Sequence, residues 1–454
     1  MEVTRTLAKF IVNHRYADIP EKVRHEAARS FLNWVGCAVG GSRHETVENA
    51  LAALSEFSGP REATVLGRGD KLDAMLAALM NGITSHTFDF DDTHLKTVIH
   101  PSGPVASAIL ALSERKHLNG NDFLHAFILG VEAECRIGKA VYPQHYDVGW
   151  HITGTAGVFG AAAAAGRLLG LTEQQMAWAL GIAATQSSGL REMFGTMCKP
   201  FHPGNAARNG LLAALLAQKN FTSSVQGIEA KRGFANVLST AFKPGEITEK
   251  LGESWEIALN TYKPFACGIV EHPAIDGCIQ LRNEHKLKGD EIEAISLKVH
   301  PLVLELTGKK TPQTGLESKF SVYHSSAVAV IHGAAGEEEY SDAVVRDPKV
   351  IALRDKVTAV ADKAMHEDQV HVTIRLKGGK TVEKSIEHCV GSLGKPMSDA
   401  DLEAKFRALS AGILSKGETD KLIRLCWDVG KLDDVAEVAR ASVSAAKPAK
   451  RTAR

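Results

Sequence analysis

Apolar residues recur every three or four positions up to about residue 260, which is the spacing of helices that bury one face. Residues 22–40 and 74–84 show this spacing and have glycine at or near their ends. Residues 155–169 and 205–220 are rich in alanine, glycine and leucine, so these helices are apolar on all sides and pack closely against their neighbours. The pattern predicts the core of an all-α domain.

Two further signals mark where elements begin. The run Thr172-Glu-Gln-Gln175 matches a capping box and predicts a helix that extends to about Gln186. Near residue 264 the period changes, because apolar and polar residues alternate in 295–299 and again in 370–376. Gly378-Gly379 then forms a turn signal before a second alternating run, so residues 370–386 are predicted to form a β-hairpin.

Helical spacing returns at Ser398, a residue type suited to cap the start of a helix. These changes of period predict a mainly α protein, with a large all-α helical domain formed by the N- and C-terminal segments and an inserted smaller α+β domain. The predicted boundaries are 1–263 for the helical domain, 264–397 for the α+β domain and 398–440 for the return to the helical domain. Residues 441–454 are basic and rich in alanine, and we expect a disordered tail there.

Charge, cysteine spacing and the N-terminal sequence limit the partners, the metal or disulfide sites and the location that the sequence predicts. The chain has 53 Lys and Arg against 53 Asp and Glu, so its balanced charge gives no reason to expect nucleic acid or a membrane surface. None of the seven cysteines forms a CxxC pair, which argues against a disulfide framework or a zinc ribbon. The N-terminus lacks the apolar stretch of a signal peptide, so a cytoplasmic location is predicted, with an organelle lumen as the alternative.

Familiar catalytic templates are absent from the sequence. It has no GxSxG, no HExxH, no GxGxxG after a strand and no complete P-loop. Serine hydrolases with a nucleophile elbow, zincins, Rossmann dehydrogenases and Walker NTPases are thereby excluded.

The remaining candidates are polar residues in otherwise apolar sequence. Asp89, Asp91 and Asp92 lie close together, but the glycine of an EF-hand loop and a second acidic cluster are missing, so a capped helix end is the stronger interpretation and no metal is predicted. His151 precedes the alanine-rich helix, where a structural histidine is the alternative to a functional one. Lys199 precedes a proline and another buried helix.

Three candidate histidines precede a proline: His100, His202 and His272. Proline suits the first turn of a helix, so each histidine is predicted at a helix N-terminus, where free N–H groups and the helix dipole favour anions. Each histidine could instead merely cap its helix. Imidazoles and a lysine gathered at helix N-termini would suit a substrate that carries carboxylates.

The order of these motifs over nearly the whole chain resembles the MmgE/PrpD family, which includes 2-methylcitrate dehydratase, cis-aconitate decarboxylase and iminodisuccinate epimerase. The segments that carry the resemblance are NGITSHTFDFDDTH, HPSGPV, GWHITGTAGVFGAAAAAGRLLGL and KPFHPGNAARNGLLAALLA. The resemblance implies a helical domain built from both ends of the chain, a central α+β domain, an active site between them, a homodimer, and neither a metal nor an organic cofactor.

The resemblance to the cis-aconitate decarboxylase branch also implies functional positions. They fall here on Asp89, Thr93, His100, His151, Lys199 and His272. The chain departs from that branch in two places: it has one extra residue between DDT and HPS, and it has His324, with Tyr323 beside it, at the position of a late tyrosine.

Chemistry shared by the family moves a proton on the carbon beside a carboxylate, which needs a positioned base and stabilisation of the developing charge. We assign His151 and His100 as the acid/base pair, with Lys199 and His272 holding substrate carboxylates. Asp89 and Thr93 are expected to orient a histidine or bind the substrate hydroxyl. Further substrate-binding candidates are Arg191, Tyr323 and His324.

The sequence therefore predicts a lyase that acts on a small di- or tricarboxylate, with a 2-methylcitrate-like dehydration as the first hypothesis. An epimerase, isomerase or decarboxylase on a related polycarboxylate is the alternative. A noncatalytic binding protein is a third hypothesis, and the complete set of proton-transfer residues argues against it.

Overall fold

The apolar spacing of the sequence corresponds to long helices in the computed structural model, which describes residues 2–445. Helix accounts for 58% of the residues and strand for 9%, so the protein is mainly α with a small sheet region. The helices are α1 (Val3–Asn13), α2 (Glu21–Gly41), α3 (Glu45–Leu54), α4 (Ala74–His86), α5 (Ser102–Lys116), α6 (Gly120–Val141), α7 (Gln144–Asp147), α8 (Ile152–Leu168), α9 (Glu173–Ala184), α10 (Cys198–Gln218), α11 (Phe234–Leu238), α12 (Gly245–Thr248), α13 (His272–His285), α14 (Pro301–Thr307), α15 (Gly315–Ser318), α16 (Val322–Ile331), α17 (Asp342–Val345), α18 (Pro348–Arg354), α19 (Asp399–Ser410), α20 (Lys416–Trp427) and α21 (Ala436–Ala441).

Eight short strands complete the secondary structure of the described residues. They are β1 (Ala63–Thr64), β2 (Lys71–Leu72), β3 (Thr93–His94), β4 (Asn260–Thr261), β5 (Ile292–Val299), β6 (Val357–Ala361), β7 (Val370–Leu376) and β8 (Thr381–Ile386). The strands form two two-stranded ladders, β1-β2 and β3-β4, and one four-stranded sheet in the order β6-β5-β7-β8. In the larger sheet β5 is parallel to β6 and antiparallel to β7. The predicted hairpin is confirmed, because β7 and β8 pair in antiparallel register from Val370 opposite Ile386.

The buried helical core determines where the functional residues meet. Every residue of α8 from Ile152 to Gly166 is buried, and α8 packs against α6 and α10. Helices α4 and α10 cross at a pair of glycines, because a Cβ on Gly82 would lie 2.4 Å from the Cα of Gly204. Side chains at this crossing would therefore push the helices apart. The close crossing brings the C-terminal end of α4 near the start of α10.

The predicted starts of three helices have different outcomes. The capping box at Thr172 and the N-cap at Ser398 are confirmed, since each side chain accepts a hydrogen bond from the N3 amide. At both helix starts the N3 side chain accepts a hydrogen bond from the N-cap amide, so Ser398 also begins a capping box. The prediction that His202 lies at a helix N-terminus is wrong. Helix α10 begins one turn earlier, at Cys198, and continues through Pro203. A residue before proline is biased away from helical geometry, but here the first turn of α10 is already formed and carries the chain past the proline.

The segment after the sheet packs against the N-terminal helices. Helix α19 lies on α2, where Phe406 occupies the space beside Gly36, and α20 also contacts α2. The ammonium of Lys405 on α19 donates to Asn33 Oδ1 and to the carbonyl oxygens of Phe90 and Lys263. These contacts attach residues 398–440 to the helical core, while the exact domain boundaries stay a prediction.

Only part of the predicted tail lies within the described residues. There Ser442 is buried and the amide of Ala445 donates to Glu418. The rest of the predicted tail, 446–454, lies outside the described residues. No helix between residues 2 and 445 has both the length and the apolar character needed to cross a bilayer.

Candidate active site

A narrow cavity opens between the helical core and the segment that follows β4. The polar side chains of its wall belong to Asp89, Thr93, His100, His151, Lys199, Lys263 and Thr307, and the apolar or aromatic ones to Val98, Tyr146, Phe194, Ile269, Val270, Leu306 and Phe320. The free volume between these walls is about 40 Å³, so the cavity is small. The cavity therefore suits a small, charged ligand.

Asp89 lies between two lysines at one end of the cavity. It follows α4 in the left-handed backbone region, with φ 50°, which aspartate tolerates better than most residues. Its Oδ1 is 3.0 Å from the Nζ of Lys199 and 2.6 Å from the Nζ of Lys263. Burial by itself would raise the pKa of Asp89, but the two ammonium groups outweigh it and hold the pKa well below its usual value. The Asp89 carboxylate thus pairs with two ammonium groups.

A second carboxylate, Asp91, orients two histidines. Its oxygens lie 2.8 Å from Nδ1 of His86 and 3.2 Å from Nδ1 of His100. Burial lowers the pKa of His86 to about 4 and also lowers the pKa of His100, so both imidazoles are neutral near pH 7. A neutral His100 that donates Nδ1–H to Asp91 has its lone pair on Nε2, which lies on the side of Asp89 at 3.9 Å from Oδ1. This tautomer can act as a base.

The rest of the DFDDT run holds this arrangement in place. Thr93 belongs to β3, and its carbonyl accepts a 2.7 Å hydrogen bond from the hydroxyl of Thr261 on β4. The Thr93 hydroxyl lies 3.5 Å from His100 Nδ1, and the His100 amide donates to Thr153 on α8. Asp92 is buried behind the cavity, where Ser102 donates to it, and burial together with the charge of Asp91 raises its pKa to about 7. The run therefore combines a site residue, a histidine-orienting residue and structural contacts.

His151 lines the same cavity from the N-cap of α8, with its ring centroid 6.0 Å from that of His86. Its amide donates to the Gly189 carbonyl, and its ring packs edge-on against Phe194 at 5.0 Å. Nδ1 of His151 is 2.8 Å from Nδ1 of His202. Burial, followed by the nearby His202 and Lys199, lowers the pKa of His151 well below its usual value. This histidine is therefore neutral as well.

Lys199 lies in the first turn of α10 and is almost fully buried. Its Nζ is 5.3 Å from the ring centroids of both Phe194 and Phe320, which is cation–π distance. Burial lowers the pKa of Lys199, while Asp89 opposes this shift. The ammonium thus lies in an aromatic-walled pocket with one carboxylate partner.

Five of the nine predicted site residues line the cavity, and the other four do not. His272 begins α13 and is buried edge-on against Phe265, behind the cavity wall. Arg191 is on the outer side of Tyr146, where it donates to the Tyr146 carbonyl and pairs with Glu305. The remaining two residues are on α16. Tyr323 belongs to a second hydrophobic core, formed mainly by buried apolar residues of α13, α16 and the four-stranded sheet. His324 is buried, with its Nε2 2.9 Å from the carbonyl oxygen of Glu339.

Sequence reasoning did not identify Lys263 as a site residue. Its Nζ also donates to the carbonyls of Asp89 and Cys267, so this side chain joins the segment after β4 to the segment after α4. A signal was present, because Lys263-Pro264 repeats the dipeptide Lys199-Pro200. His86 was not predicted as a site residue either, although it begins the polar run that ends at His94.

Four residues here have the donor types of a divalent-cation site. His86, Asp89, Asp91 and His100 each offer one ligand atom, and these atoms lie within 4.8 Å of one another. Two ammonium groups already lie within 3.0 Å of Asp89, and they would repel a further cation. The site geometry therefore favours binding of an anion over a metal.

Comparisons with known proteins agree with the motifs. Residues 5–247 match the MmgE/PrpD N-terminal domain and residues 265–429 match the MmgE/PrpD C-terminal domain. The chain is 27% identical over 463 residues to a cis-aconitate decarboxylase of Aspergillus terreus, covering 96% of this chain and 94% of that protein. It is also 27% identical to the cis-aconitate decarboxylase of Homo sapiens, covering 95% and 92%. It is 25% identical to the mitochondrial 2-methylcitrate dehydratase of Yarrowia lipolytica, covering 81% and 74%. This chain therefore belongs to the MmgE/PrpD family.

Proposed function

We propose that the protein is a lyase that moves a proton on the carbon beside a carboxylate of a small di- or tricarboxylate. The observation that supports this most is the convergence of two neutral imidazoles, on His100 and His151, with two lysine ammonium groups in one cavity. A neutral imidazole accepts a proton at its free nitrogen and releases it again from the protonated ring, and ammonium groups bind carboxylates. Two similar proteins are named cis-aconitate decarboxylase and 2-methylcitrate dehydratase.

In this proposal Lys199 and Lys263 hold one substrate carboxylate. Asp89 neutralises only one of the two lysine ammonium charges beside it, so an incoming substrate carboxylate neutralises the other. The same charges stabilise the enediolate-like negative charge that develops when the adjacent carbon loses a proton. The Thr93 hydroxyl, at the wall beside His100, binds a substrate oxygen.

The histidines divide the proton transfers between them. His100, with Nδ1 held by Asp91, accepts the carbon proton at Nε2. His151 donates its Nε2–H proton to the leaving hydroxyl in a dehydration while its Nδ1 takes up a proton, so that the ring stays neutral. The first candidate reaction is therefore a 2-methylcitrate-like dehydration, in which water leaves and a carbon–carbon double bond forms.

Decarboxylation of a cis-aconitate-like substrate is the second candidate. The similarity to cis-aconitate decarboxylases extends over 95% or more of this chain, against 81% for the Yarrowia lipolytica dehydratase. Part of the wall is apolar, including Val98, Ile269 and Leu306. A carboxylate against such a wall is poorly solvated, which favours its loss as neutral CO₂ while His151 protonates the carbon.

A substrate screen tests the proposal and separates the two reactions. The purified protein is incubated with 2-methylcitrate, citrate, cis-aconitate and iminodisuccinate, and the products are followed by ultraviolet absorbance and proton NMR. Dehydration yields an alkene with no loss of carbon, whereas decarboxylation releases CO₂. The matched control is His151→Asn, which should lose turnover and so excludes a contaminating enzyme. If none of the four compounds is consumed or epimerised, the proposed function is wrong.

Quaternary structure and location are separate proposals. We expect the homodimer that the family resemblance implies, and sedimentation velocity at micromolar concentration would measure it. The cytoplasmic location stays a prediction, and cell fractionation would check it.

A further inference from the structure

The ring of His202 lies in a space left by two glycines. A Cβ on Gly189, where φ is 125°, would lie 3.1–3.4 Å from three atoms of the ring. A Cβ on Gly154 would lie 3.1 Å from the Cβ of His202 and 2.4 Å from the Ser188 carbonyl oxygen. Side chains at either glycine would displace the ring. The surrounding backbone thus holds His202 in one position against His151.

The contact between the two rings is short and specific. The Nδ1 atoms of His151 and His202 are 2.8 Å apart, which requires that one of them carries a proton and the other a lone pair. The other nitrogen of His202, Nε2, lies 4.0 Å from the Sγ of Cys198, an exposed residue. Since His151 uses Nδ1 for this contact, its Nε2 is the nitrogen left for the cavity.

We propose that His202 is a positioning residue that sets the tautomer of His151 and exchanges protons between His151 and the surface beside Cys198. This inference rests on the proposed lyase function, and it gives a new role to a residue that the sequence had placed only at an anion-binding helix N-terminus. The pair has two complementary states. In one, His202 Nδ1–H donates to His151, whose Nε2–H is an acid. In the other, His151 Nδ1–H donates to His202, and His151 Nε2 is a base.

Coupled proton transfers convert the first state into the second. The Nε2–H bond of His151 breaks as its proton goes to the substrate, and the Nδ1 proton of His202 moves to Nδ1 of His151. In the same step a water molecule at the surface gives a proton to Nε2 of His202 and is left as hydroxide, which the buffer neutralises. After product release, water in the cavity gives a proton to Nε2 of His151, the Nδ1 proton of His151 returns to His202, and Nε2 of His202 releases its proton to the buffer. The hydroxide left in the cavity takes the proton that His100 accepted from carbon, which restores the first state.

The electrostatics of the site explain why proton exchange between His151 and His202 would help catalysis. The positive or titratable groups that face the pair are Lys199, His86 and His100. Burial and these neighbours lower the pKa of His202 to about 4 and that of His151 further below its usual value. An imidazolium is therefore costly at this position. The pair allows His151 to give or take a proton at Nε2 without a net charge on either ring.

The test compares two variants of His202 with a matched control. His202→Asn keeps an amide near the Nδ1 position but cannot pass a proton, and His202→Ala leaves a space of imidazole size. The control is His125→Ala, because His125 is a buried histidine that also contacts another histidine, His14, at 3.1 Å and lies away from the cavity. Each variant is assayed on the substrate found in the screen, and its fold is checked by circular dichroism.

We expect both His202 variants to lose about 10- to 100-fold in kcat, less than the effect of removing an acid or base itself, with KM nearly unchanged. Added imidazole should restore part of the kcat of His202→Ala, whereas the control should keep its kcat and not respond. A structural role would not produce this rescue. Normal kcat in His202→Asn, or no rescue of a folded His202→Ala, would overturn the proton-exchange role.

A second measurement needs no substrate. In the free protein, ¹⁵N NMR of the histidine side chains should show the His151 and His202 nitrogens as complementary tautomers, and His202→Ala should shift the His151 signals while those of His100 stay unchanged. Unchanged His151 signals would overturn the inference even if turnover is found. If the expected shifts occur but the screen finds no substrate, the proposed function fails while the tautomer control stands.

Discussion

Replacement of Lys199 by methionine tests the charge arrangement of the cavity most directly. Methionine has a chain of similar length and volume but no charge, so the substitution removes the ammonium and little else. In the wild type, Nζ of Lys199 is 3.0 Å from Asp89 Oδ1, where unit charges attract by about 5 kcal/mol at an effective dielectric constant of about 20. Desolvation of both groups offsets much of this attraction.

The fold should tolerate the change because Asp89 keeps a partner. Lys263 remains 2.6 Å from the same carboxylate oxygen, so Lys199→Met does not leave a buried charge unpaired. The free energy of unfolding should therefore fall by less than the roughly 3–5 kcal/mol typical of a broken buried pair. Lys263→Met is the matched comparison. Since the Lys263 ammonium also donates to the carbonyls of Asp89 and Cys267, its loss should cost the larger amount.

Substrate binding should suffer much more than stability. Without Lys199, the remaining Asp89–Lys263 pair is neutral, and an incoming carboxylate loses a charge-assisted contact of about 1.5–3 kcal/mol. KM should rise about 10- to 150-fold. An additional fall in kcat would mean that Lys199 also stabilises the charge that develops during the reaction.

The assay measures kcat and KM on the substrate from the screen, together with thermal unfolding of each variant. Calorimetric titration with citrate, a small tricarboxylate, reports the loss of anion binding independently of turnover. If Lys199→Met unfolds like the wild type but keeps near-native kcat/KM and citrate affinity, the lysine is structural and its role in binding carboxylates is wrong.

Three further predictions concern other parts of the site and its surroundings. His151→Asn should lower kcat by about 10²- to 10⁴-fold with little change in KM, because it removes a proton-transfer group; a dominant KM effect would argue for a binding role. Activity should survive EDTA, because ammonium groups already neutralise Asp89; loss in EDTA that one added metal reverses would refute this expectation. Glu134→Gln should raise the melting temperature at pH 8 more than at pH 4. Burial and the nearby Asp92 raise the pKa of Glu134, and its carboxyl has no hydrogen-bond partner within residues 2–445. The folded state therefore holds a proton that the unfolded chain releases above about pH 4.5. Because of this difference, the stability of the wild type falls as the pH rises. An equal or smaller gain at pH 8 would contradict this reasoning.

The sequence by itself determined the elements and their order, because they depend on local periodicity. The three- to four-residue spacing located α2, α4 and α8 within a few residues, and the alternating run located the β7-β8 hairpin. The Thr172 capping box and the Ser398 N-cap marked two helix starts. Ordered motifs also indicated the family. Asp89, Thr93, His100, His151 and Lys199, which line the cavity, all lie in those motifs.

Only the tertiary structure decided which side chains converge. Lys263 meets Asp89 across 174 residues, and His202 meets His151 across 51, through helix crossings that no local pattern specifies. For the same reason His272 and His324 have the residue types of a site yet lie outside the cavity wall. His272 packs against Phe265 and His324 against Tyr340, two rings that border or belong to the second hydrophobic core. Periodicity reports which face of an element is buried. The partner that this face meets depends on close approaches such as that of Gly82 and Gly204, which a single sequence does not reveal.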